Sequence, residues 1–419
     1  MTSARPVKIT DAHVIRMREH VAYLLERSPY YKERLRNAGV GPGDIRSYND
    51  IIKLPATTKD DLARQPERFL CVPPEHVVEH VTTSGSLGDP VPFMLTEKDL
   101  QRLARNEQLS LTTAGVTGRD VVQITTTLDK YFMAGIAYWL GARAIGAGIV
   151  RSGPGDPQAQ WRTAARCGTT VLIATPGFLL RMLTAAGGDI PASVRKVICI
   201  GEPIATSLGV PDRQAQRILE LCDLQLHGTY ASTEMATAFT EPLPFQGHLV
   251  PHELVFVELL NEDGLPVAEG EPGEVVATPW SVEGMPLLRF KTGDVCTMRK
   301  EIDEQGQLRE YLGPVIGRKA QRMKVNGTTL YPQQIMNALN GEPAIRAYTV
   351  IRERDENGLD KVRIALNTHD HDLSGLKERL QGQLRIAIPI DRMEMTDLMT
   401  MINIPGERKP RRFIDLTRP

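Results

Sequence analysis

The chain has 419 residues, with 50 Lys plus Arg against 51 Asp plus Glu and a formal net charge of −1 at pH 7. A single core rarely grows past about 250–300 residues, so two domains are expected, and the balanced charge excludes broad attraction to nucleic acid or an anionic membrane. The five cysteines, Cys71, Cys167, Cys199, Cys222 and Cys296, contain no C-x-x-C pair, which points to reduced thiols and a cytoplasmic protein.

The opening MTSARPVKIT lacks the apolar core of a secretion signal. Residues 11–38 read as a helix, with Val14, Met17, Val21, Leu24 and Leu25 at helical spacing and a stop near Gly39 and Gly41. Next comes His80-Val81-Thr82-Thr83-Ser84-Gly85-Ser86-Leu87-Gly88-Asp89-Pro90, whose hydroxyls and glycines offer no face to bury and predict a loop. Such a loop is either a solvated turn or a cradle in which N–H groups and hydroxyls converge on phosphate. It lacks the Gly-Lys-Ser/Thr of the nucleotide-triphosphate loop.

Short apolar runs then alternate with helical patterns. Strands are expected at 121–124, 148–150, 170–173 and 196–200, with helices at 133–140, 159–166 and around 178–183. That rhythm predicts parallel βαβ units and an α/β core. Met133–Val150 is the longest apolar stretch, but the central Arg143 argues for a buried helix running into a strand rather than a membrane span. From Leu254 short strands with turn punctuation, 254–259 and 273–278, predict a meander or small barrel beside that core. Beyond Gly317 a helix at 332–340, two alternating strands and a helix at 374–386 predict a compact α+β unit. The expected division is a large domain at 1–317 and a small one at 318–419.

Four further segments have two readings each. Tyr230-Ala231-Ser232-Thr233-Glu234 offers adjacent hydroxyl and carboxylate oxygens for a hard cation, or an ordinary helix cap. Lys291-Thr292-Gly293-Asp294 reads as a tight turn whose carboxylate could grip ribose hydroxyls, or as a common turn Asp. Arg318 through Lys324 and Gly327 is a basic linker or a solvated strand, and the cluster 405–412 around Lys409 is a site or a frayed tail.

In this order the motifs resemble those of the AMP-forming acyl-adenylating superfamily, and the chain is similar to its phenylacetate–CoA ligase-like branch over almost its whole length. Ser28-Pro29-Tyr30-Tyr31-Lys32-Glu33-Arg34, Leu54-Pro55-Ala56-Thr57-Thr58-Lys59-Asp60-Asp61-Leu62 and Ile200-Gly201-Glu202-Pro203 are the branch-specific marks. The resemblance implies a large N-terminal α/β domain with sheet layers and a small barrel-like part, followed by a small mobile α+β domain. It implies that Thr83, Ser84, Gly85, Ser86 and Gly88 hold the ATP phosphates. Gly201, Glu202, Pro203, Tyr230, Ala231 and Ser232 would line the adenine slot and its surroundings. Glu234 would bind Mg2+ and Thr233 the α-phosphate, while Asp294 would bind the ribose, supported by Arg318 and Lys324. Lys409, in Lys-Pro-Arg-Arg-Phe-Ile-Asp, would bridge the acid and the α-phosphate, and the small domain would rotate between the two half-reactions. Tyr131, Phe132, Ala134, Gly135 and Ala236 match the segments that line the acid pocket.

Three departures stand out. Ala320 and Gln321 occupy positions where the family has Asp at the hinge, and Asp89 replaces the usual Lys after the last loop glycine. The thiol clusters that hold zinc in some relatives are missing, and Pro251 between His248 and His252 argues against a metal pair there. The function implied is ATP-dependent adenylation of an aryl or arylacetic acid, release of pyrophosphate, and acyl transfer to coenzyme A. The alternatives are transfer to a carrier-protein thiol or an amine, or a non-catalytic nucleotide binder. The expected partners are an aromatic acid, ATP and coenzyme A, without nucleic acid or membrane, and a homodimer is the assembly to look for.

Overall fold

The computed structural model describes residues 11–83, 90–187, 189–325, 328–356, 358–370, 372–403 and 410–417. It divides into two compact units, one of residues up to 210 with 218–314 and another of 211–217 with 315 onward.

The first unit is built on a six-stranded sheet. Its strands run in the order Thr237–Thr240, Gln225–Ser232, Lys196–Cys199, Val171–Ala174, Val121–Ile124 and Gly148–Arg151. All are parallel except Thr237–Thr240, which folds back antiparallel on Gln225–Ser232. Val171–Ala174 is buried at every position, as a parallel strand covered on both faces must be. Val122, Ile124, Tyr138, Ala142, Val171, Ile173 and Ile198 form one core of this sheet. The chain visits Val121–Ile124, then a strand to one side, then one to the other, so the strand order switches beside Val121–Ile124. In open α/β sheets that switch marks a crevice at the carboxyl ends of the strands.

Val255–Leu260, Gly273–Pro279 and Phe290–Cys296 make the expected antiparallel meander. A second core joins it to the N-terminal helices through Met17, Leu24, Tyr31, Leu35, Phe69, Phe256, Trp280 and Leu288. The single helix expected at 11–38 is two helices, Asp11–Arg27 and Pro29–Asn37. Ser28 caps the second, accepting from the Tyr31 N–H at 3.4 Å, and Pro29 takes the first helical position, where its missing N–H costs nothing.

In the second unit Ile345–Arg354 and Asp360–Thr368 pair antiparallel at the centre, flanked in parallel by Phe413–Asp415 and Ile390–Arg392. Val350 packs with Ile335, Leu339, Leu376 and Leu380 on one face, while its neighbour Ile351 packs with Leu398 and Ile402 on the other. Alternate residues of one strand thus serve helices on both faces. No helix among the described residues is long and apolar enough to cross a membrane.

Candidate active site

The strand Glu79–Thr82 pairs antiparallel with Pro92–Leu95, so the hydroxyl- and glycine-rich segment joins two paired strands. Thr83 closes the near end: its N–H donates to the Val91 carbonyl and its Oγ1 accepts from the Val91 N–H, both at 3.0 Å. Ser84, Gly85, Ser86 and Gly88, with Asp89, lie outside the described residues, as do Gly327 and Lys409.

One residue earlier, the Thr82 N–H donates to the Tyr131 carbonyl at 2.9 Å. Tyr131 and Lys130 both have left-handed backbones, with φ of 57° and 59°, and Tyr131 is 66% exposed. Non-glycine residues adopt that region at a cost of about 1–3 kcal/mol each, and such residues gather at functional sites. The start of the loop is thereby tied to the segment matching the acid pocket. Within that segment Phe132 and Ala134 are half-buried, whereas Gly135 is buried. A Cβ at Gly135 would lie 2.2 Å from the Thr127 carbonyl oxygen, so the glycine is needed for the helix Met133–Ile145 to approach that loop.

Gly201, Glu202 and Pro203 follow the strand Lys196–Cys199 at its carboxyl end. Glu202 Oε2 is buried and meets no hydrogen-bond partner among the described residues. An unsatisfied buried carboxylate oxygen is costly, and this one is a ready acceptor for a bound donor. On the adjacent strand Gln225–Ser232, Tyr230 stacks on Phe239 with ring centroids 5.7 Å apart, and its hydroxyl donates to Asp294 Oδ2 at 3.0 Å. Burial first, and then the neighbouring Asp294 carboxylate, push the Tyr230 hydroxyl well above its usual range, so it remains a neutral donor. The base of this strand is held by Glu241, whose Oε2 accepts from the N–H groups of Gly228 at 2.8 Å and Phe245 at 3.1 Å.

Thr233 and Glu234 sit in neither a helix cap nor a strand. They open the four-residue turn Thr233–Ala236 between Ser232 and its partner Thr237. The Ala236 N–H donates to the Thr233 carbonyl at 3.1 Å, Ser232 Oγ accepts from Met235, and Ala236 is left-handed with φ of 47°. Both Thr233 and Glu234 are half-buried.

Asp294 also differs from the simple turn reading. It lies inside the strand Phe290–Cys296, where Val275 alone faces Thr292, Gly293 and Asp294 because the register jumps between Glu274–Val295 and Val276–Lys291. Gly293 has φ of 78°, and Thr292 Oγ1 donates to the Val275 carbonyl while accepting from the Asp294 N–H. The bulge, rather than a chain reversal, pushes Asp294 out of the ladder toward Tyr230.

The branch-specific motifs meet one another beside this strand. The Leu288 N–H donates to the Tyr31 hydroxyl at 2.9 Å, Tyr31 meets Thr57 Oγ1 at 2.6 Å, and Thr57 Oγ1 donates back to the Leu288 carbonyl at 2.8 Å. Arg289 forms a buried two-pronged ion pair with Glu258 at 2.9 and 3.0 Å and donates to the Ile52 and Leu54 carbonyls. These contacts fasten the start of the Asp294 strand.

Several residues that bond the edge strand lie on the helix Glu97–Thr113, where no motif marked them. Arg102, Asn106 and Ser110, each four residues apart, are buried and bond the antiparallel edge strand. Arg102 donates to the carbonyls of Ala236, Trp280 and Leu254 and to Thr237 Oγ1. Asn106 exchanges two hydrogen bonds with the backbone of Ala238, and Ser110 meets Thr240 Oγ1 at 2.6 Å. The one available signal was four-residue polar spacing, which also describes a solvated helix face.

Arg318 and Lys324 belong to the second unit, Arg318 half-buried in the short strand Gly317–Arg318 and Lys324 exposed on Met323–Val325. The Lys324 N–H donates to Asp360 Oδ2 at 2.9 Å.

The six-stranded sheet thus carries Tyr230 and, past the end of the same strand, the Thr233–Ala236 turn, and Asp294 reaches the Tyr230 hydroxyl from the meander. A model of the AMP-binding enzyme family matches residues 20–282, and the chain belongs to that family. It is 26% identical over 443 residues to a phenylacetate–coenzyme A ligase of Thermus thermophilus, covering 96% of this chain and 95% of that one. It is 25% identical over 327 residues to the phenylacetate–coenzyme A ligase of Escherichia coli, covering 76% and 73%. Among solved structures, a 2-hydroxyisobutyryl-CoA ligase in the postadenylation state superposes with a TM-score of 0.82 at 19% identity, over 98% of this chain and 90% of that one. The amide bond synthetase McbA from Marinactinospora thermotolerans superposes at 0.60 and 19% identity, over 81% and 68%. The α/β adenylate-forming fold implied by the motifs is therefore the fold observed.

Proposed function

We propose that this AMP-forming ligase activates an aromatic carboxylic acid and passes the acyl group to coenzyme A. The observation that carries the reading is the Tyr230–Asp294 hydrogen bond on neighbouring elements, one strand-turn away from Thr233 and Glu234. Aromatic acids and coenzyme A enter from the names of the relatives, phenylacetate–coenzyme A ligases that align over most of the chain.

Tyr230 stacks on the adenine from one side, with Gly201, Glu202 and Pro203 on the other, where Glu202 Oε2, without a hydrogen-bond partner among the described residues, accepts from a bound N–H or O–H group. Asp294 accepts from the ribose hydroxyls. The acid's carboxylate oxygen attacks the α-phosphorus, the bond from that phosphorus to the pyrophosphate oxygen breaks, and pyrophosphate leaves. The thiol of coenzyme A then attacks the acyl carbon, losing its proton, and the bond to AMP breaks. Thr233 holds the α-phosphate, and Lys409, in the second unit's sequence, neutralises the charge that gathers as acid and phosphate meet.

Magnesium fits the turn. Among the described residues no three His, Cys, Asp or Glu side chains are gathered for a metal, but Mg2+ bound to a nucleotide needs only one or two carboxylates besides phosphates and waters. Glu234 supplies that carboxylate, and the ion, when bound, offsets phosphate charge. Tyr131, Phe132, Ala134 and Ala236 contribute to the acid pocket in this reading, and Arg318 and Lys324 serve the ribose.

The test is pyrophosphate release from ATP over a panel of aryl, arylacetic and short aliphatic acids, with Lys409→Ala as control. Release that depends on an aryl acid and is lost in the control supports the proposal. A preference for aliphatic acids overturns the substrate class, and an amide product with an amine in place of a thioester overturns the acceptor.

A further inference from the structure

Resting on the reading that Glu234 holds the metal, we propose that Arg102 is a positioning residue for catalysis, fixing the backbone of the Thr233–Ala236 turn so that Glu234 meets the nucleotide-bound ion. Two independent observations lead there. Ala236 is held left-handed at φ 47°, a conformation an isolated alanine avoids, two residues after Glu234. The Arg102 guanidinium, on a residue 7% exposed, donates to the carbonyl of that same alanine and to Thr237 Oγ1 at 3.1 Å.

The same guanidinium is also anchored away from the turn. It donates to the Trp280 carbonyl and, at 2.7 Å, to the Leu254 carbonyl, which belong to the meander side of the first unit. Arg102 therefore ties the metal-bearing turn to the meander that also carries Asp294. Lysine at this position keeps the charge but has no planar fork, so it cannot donate to both ends at once. Removing the contact frees Ala236 to relax toward φ below zero, and the turn preceding it must then shift Glu234.

The experiment uses the full chain carrying Arg102→Lys. In the free protein, hydrogen exchange of peptides spanning 229–238 should rise about tenfold while the strands 171–174 and 196–199 stay protected. With saturating ATP and acid, the Mg2+ concentration giving half-maximal pyrophosphate release should rise about tenfold, with a smaller change in the rate at saturating metal. Adding Ala236→Gly, which accepts the left-handed backbone without strain, should recover at least half of both shifts on a logarithmic scale. Should Arg102→Lys fail to fold, Thr237→Val removes one acceptor of the same guanidinium, together with the bond the Thr237 hydroxyl donates to the Met235 carbonyl at 2.9 Å, and should raise the Mg2+ requirement about threefold.

A folded Arg102→Lys, or failing that a Thr237→Val, with wild-type exchange at 229–238 and a wild-type Mg2+ requirement overturns the proposal. Glu234→Gln separates it from its premise. If Glu234→Gln leaves the Mg2+ requirement unchanged, the metal reading falls and this inference with it. If Glu234→Gln shifts the requirement and Arg102→Lys does not, this inference falls alone.

Discussion

The Tyr230 hydroxyl donates to Asp294 Oδ2 across 3.0 Å, joining the parallel sheet to the bulge of the meander. The two residues are 64 positions apart, and neither has its site geometry without the other's element. Tyr230→Phe keeps the ring that stacks on Phe239 but withdraws a donor from the carboxylate. A hydrogen bond to a charged group contributes about 1.5–3 kcal/mol, part of which is recovered by water, so the KM for ATP should rise about five- to twentyfold with kcat less affected. Steady-state kinetics with varied ATP check it, and an unchanged KM would show that the bond does not orient Asp294.

The closed hydrogen-bonded ring of Tyr31, Thr57 and Leu288 makes a stability prediction. Tyr31→Phe leaves the buried Leu288 N–H without its acceptor at a site where Tyr31 and Thr57 are fully buried. The expected loss is about 1–3 kcal/mol. Trp139, Trp161 and Trp280 all lie in the first unit, so tryptophan fluorescence in urea follows the relevant transition. An unmoved midpoint would contradict the role given to that ring.

Glu107 gives the pH dependence. It is buried beside Tyr138 and Gly141, its Oε2 meets no partner among the described residues, and burial pushes its carboxyl from 4.5 up to about 8, partly opposed by a hydrogen bond from Ser110. Between those values the folded protein keeps a proton that the unfolded chain releases, so stability falls as pH rises from about 4.5 toward about 8. Glu107→Gln, of nearly the same shape, removes that dependence. It should be more stable than wild type at pH 8, with the gap closing toward pH 5, as read by urea midpoints at both values. A gap that widens toward low pH reverses the sign and refutes the account of Glu107.

Gly135→Ala tests the close approach between the helix Met133–Ile145, proposed to line the acid pocket, and the Thr127 loop. With 2.2 Å between the added carbon and a backbone oxygen, the helix must move. Overpacking of this kind costs about 1–3 kcal/mol, and the melting temperature should fall by several degrees. The KM for the acid should rise more than that for ATP. Equal changes in the two would remove Gly135 from the acid side of the site.

Much of this architecture was legible because periodicity follows directly from burial. The alternation of short apolar runs with helical patterns between Val121 and Cys199 corresponds to strands and helices that cover one another. Helix ends with local chemistry were also readable, and the break at Ser28-Pro29 carried a cap signal that the continuing apolar spacing through Leu24 obscured. The bulge at Thr292–Asp294 was not legible as a bulge, since it exists only relative to the strand opposite, and Gly293 alone equally suits a turn. Arg102, Asn106 and Ser110 were hidden for a related reason. Their spacing says that they share a helix face, while only the tertiary structure says that this face meets the backbone of an edge strand.

As proposed, the chain makes an acyl-adenylate from an aromatic acid and passes the acyl group to coenzyme A. The most direct measurement is mass spectrometry of the protein incubated with ATP, Mg2+ and an aryl acid, before and after coenzyme A is added. An aroyl- or arylacetyl-AMP is expected before addition, its replacement by the corresponding acyl-CoA with free AMP afterward, and neither product with Lys409→Ala. ATP that binds but yields no acyl-adenylate with any acid of the panel would contradict it.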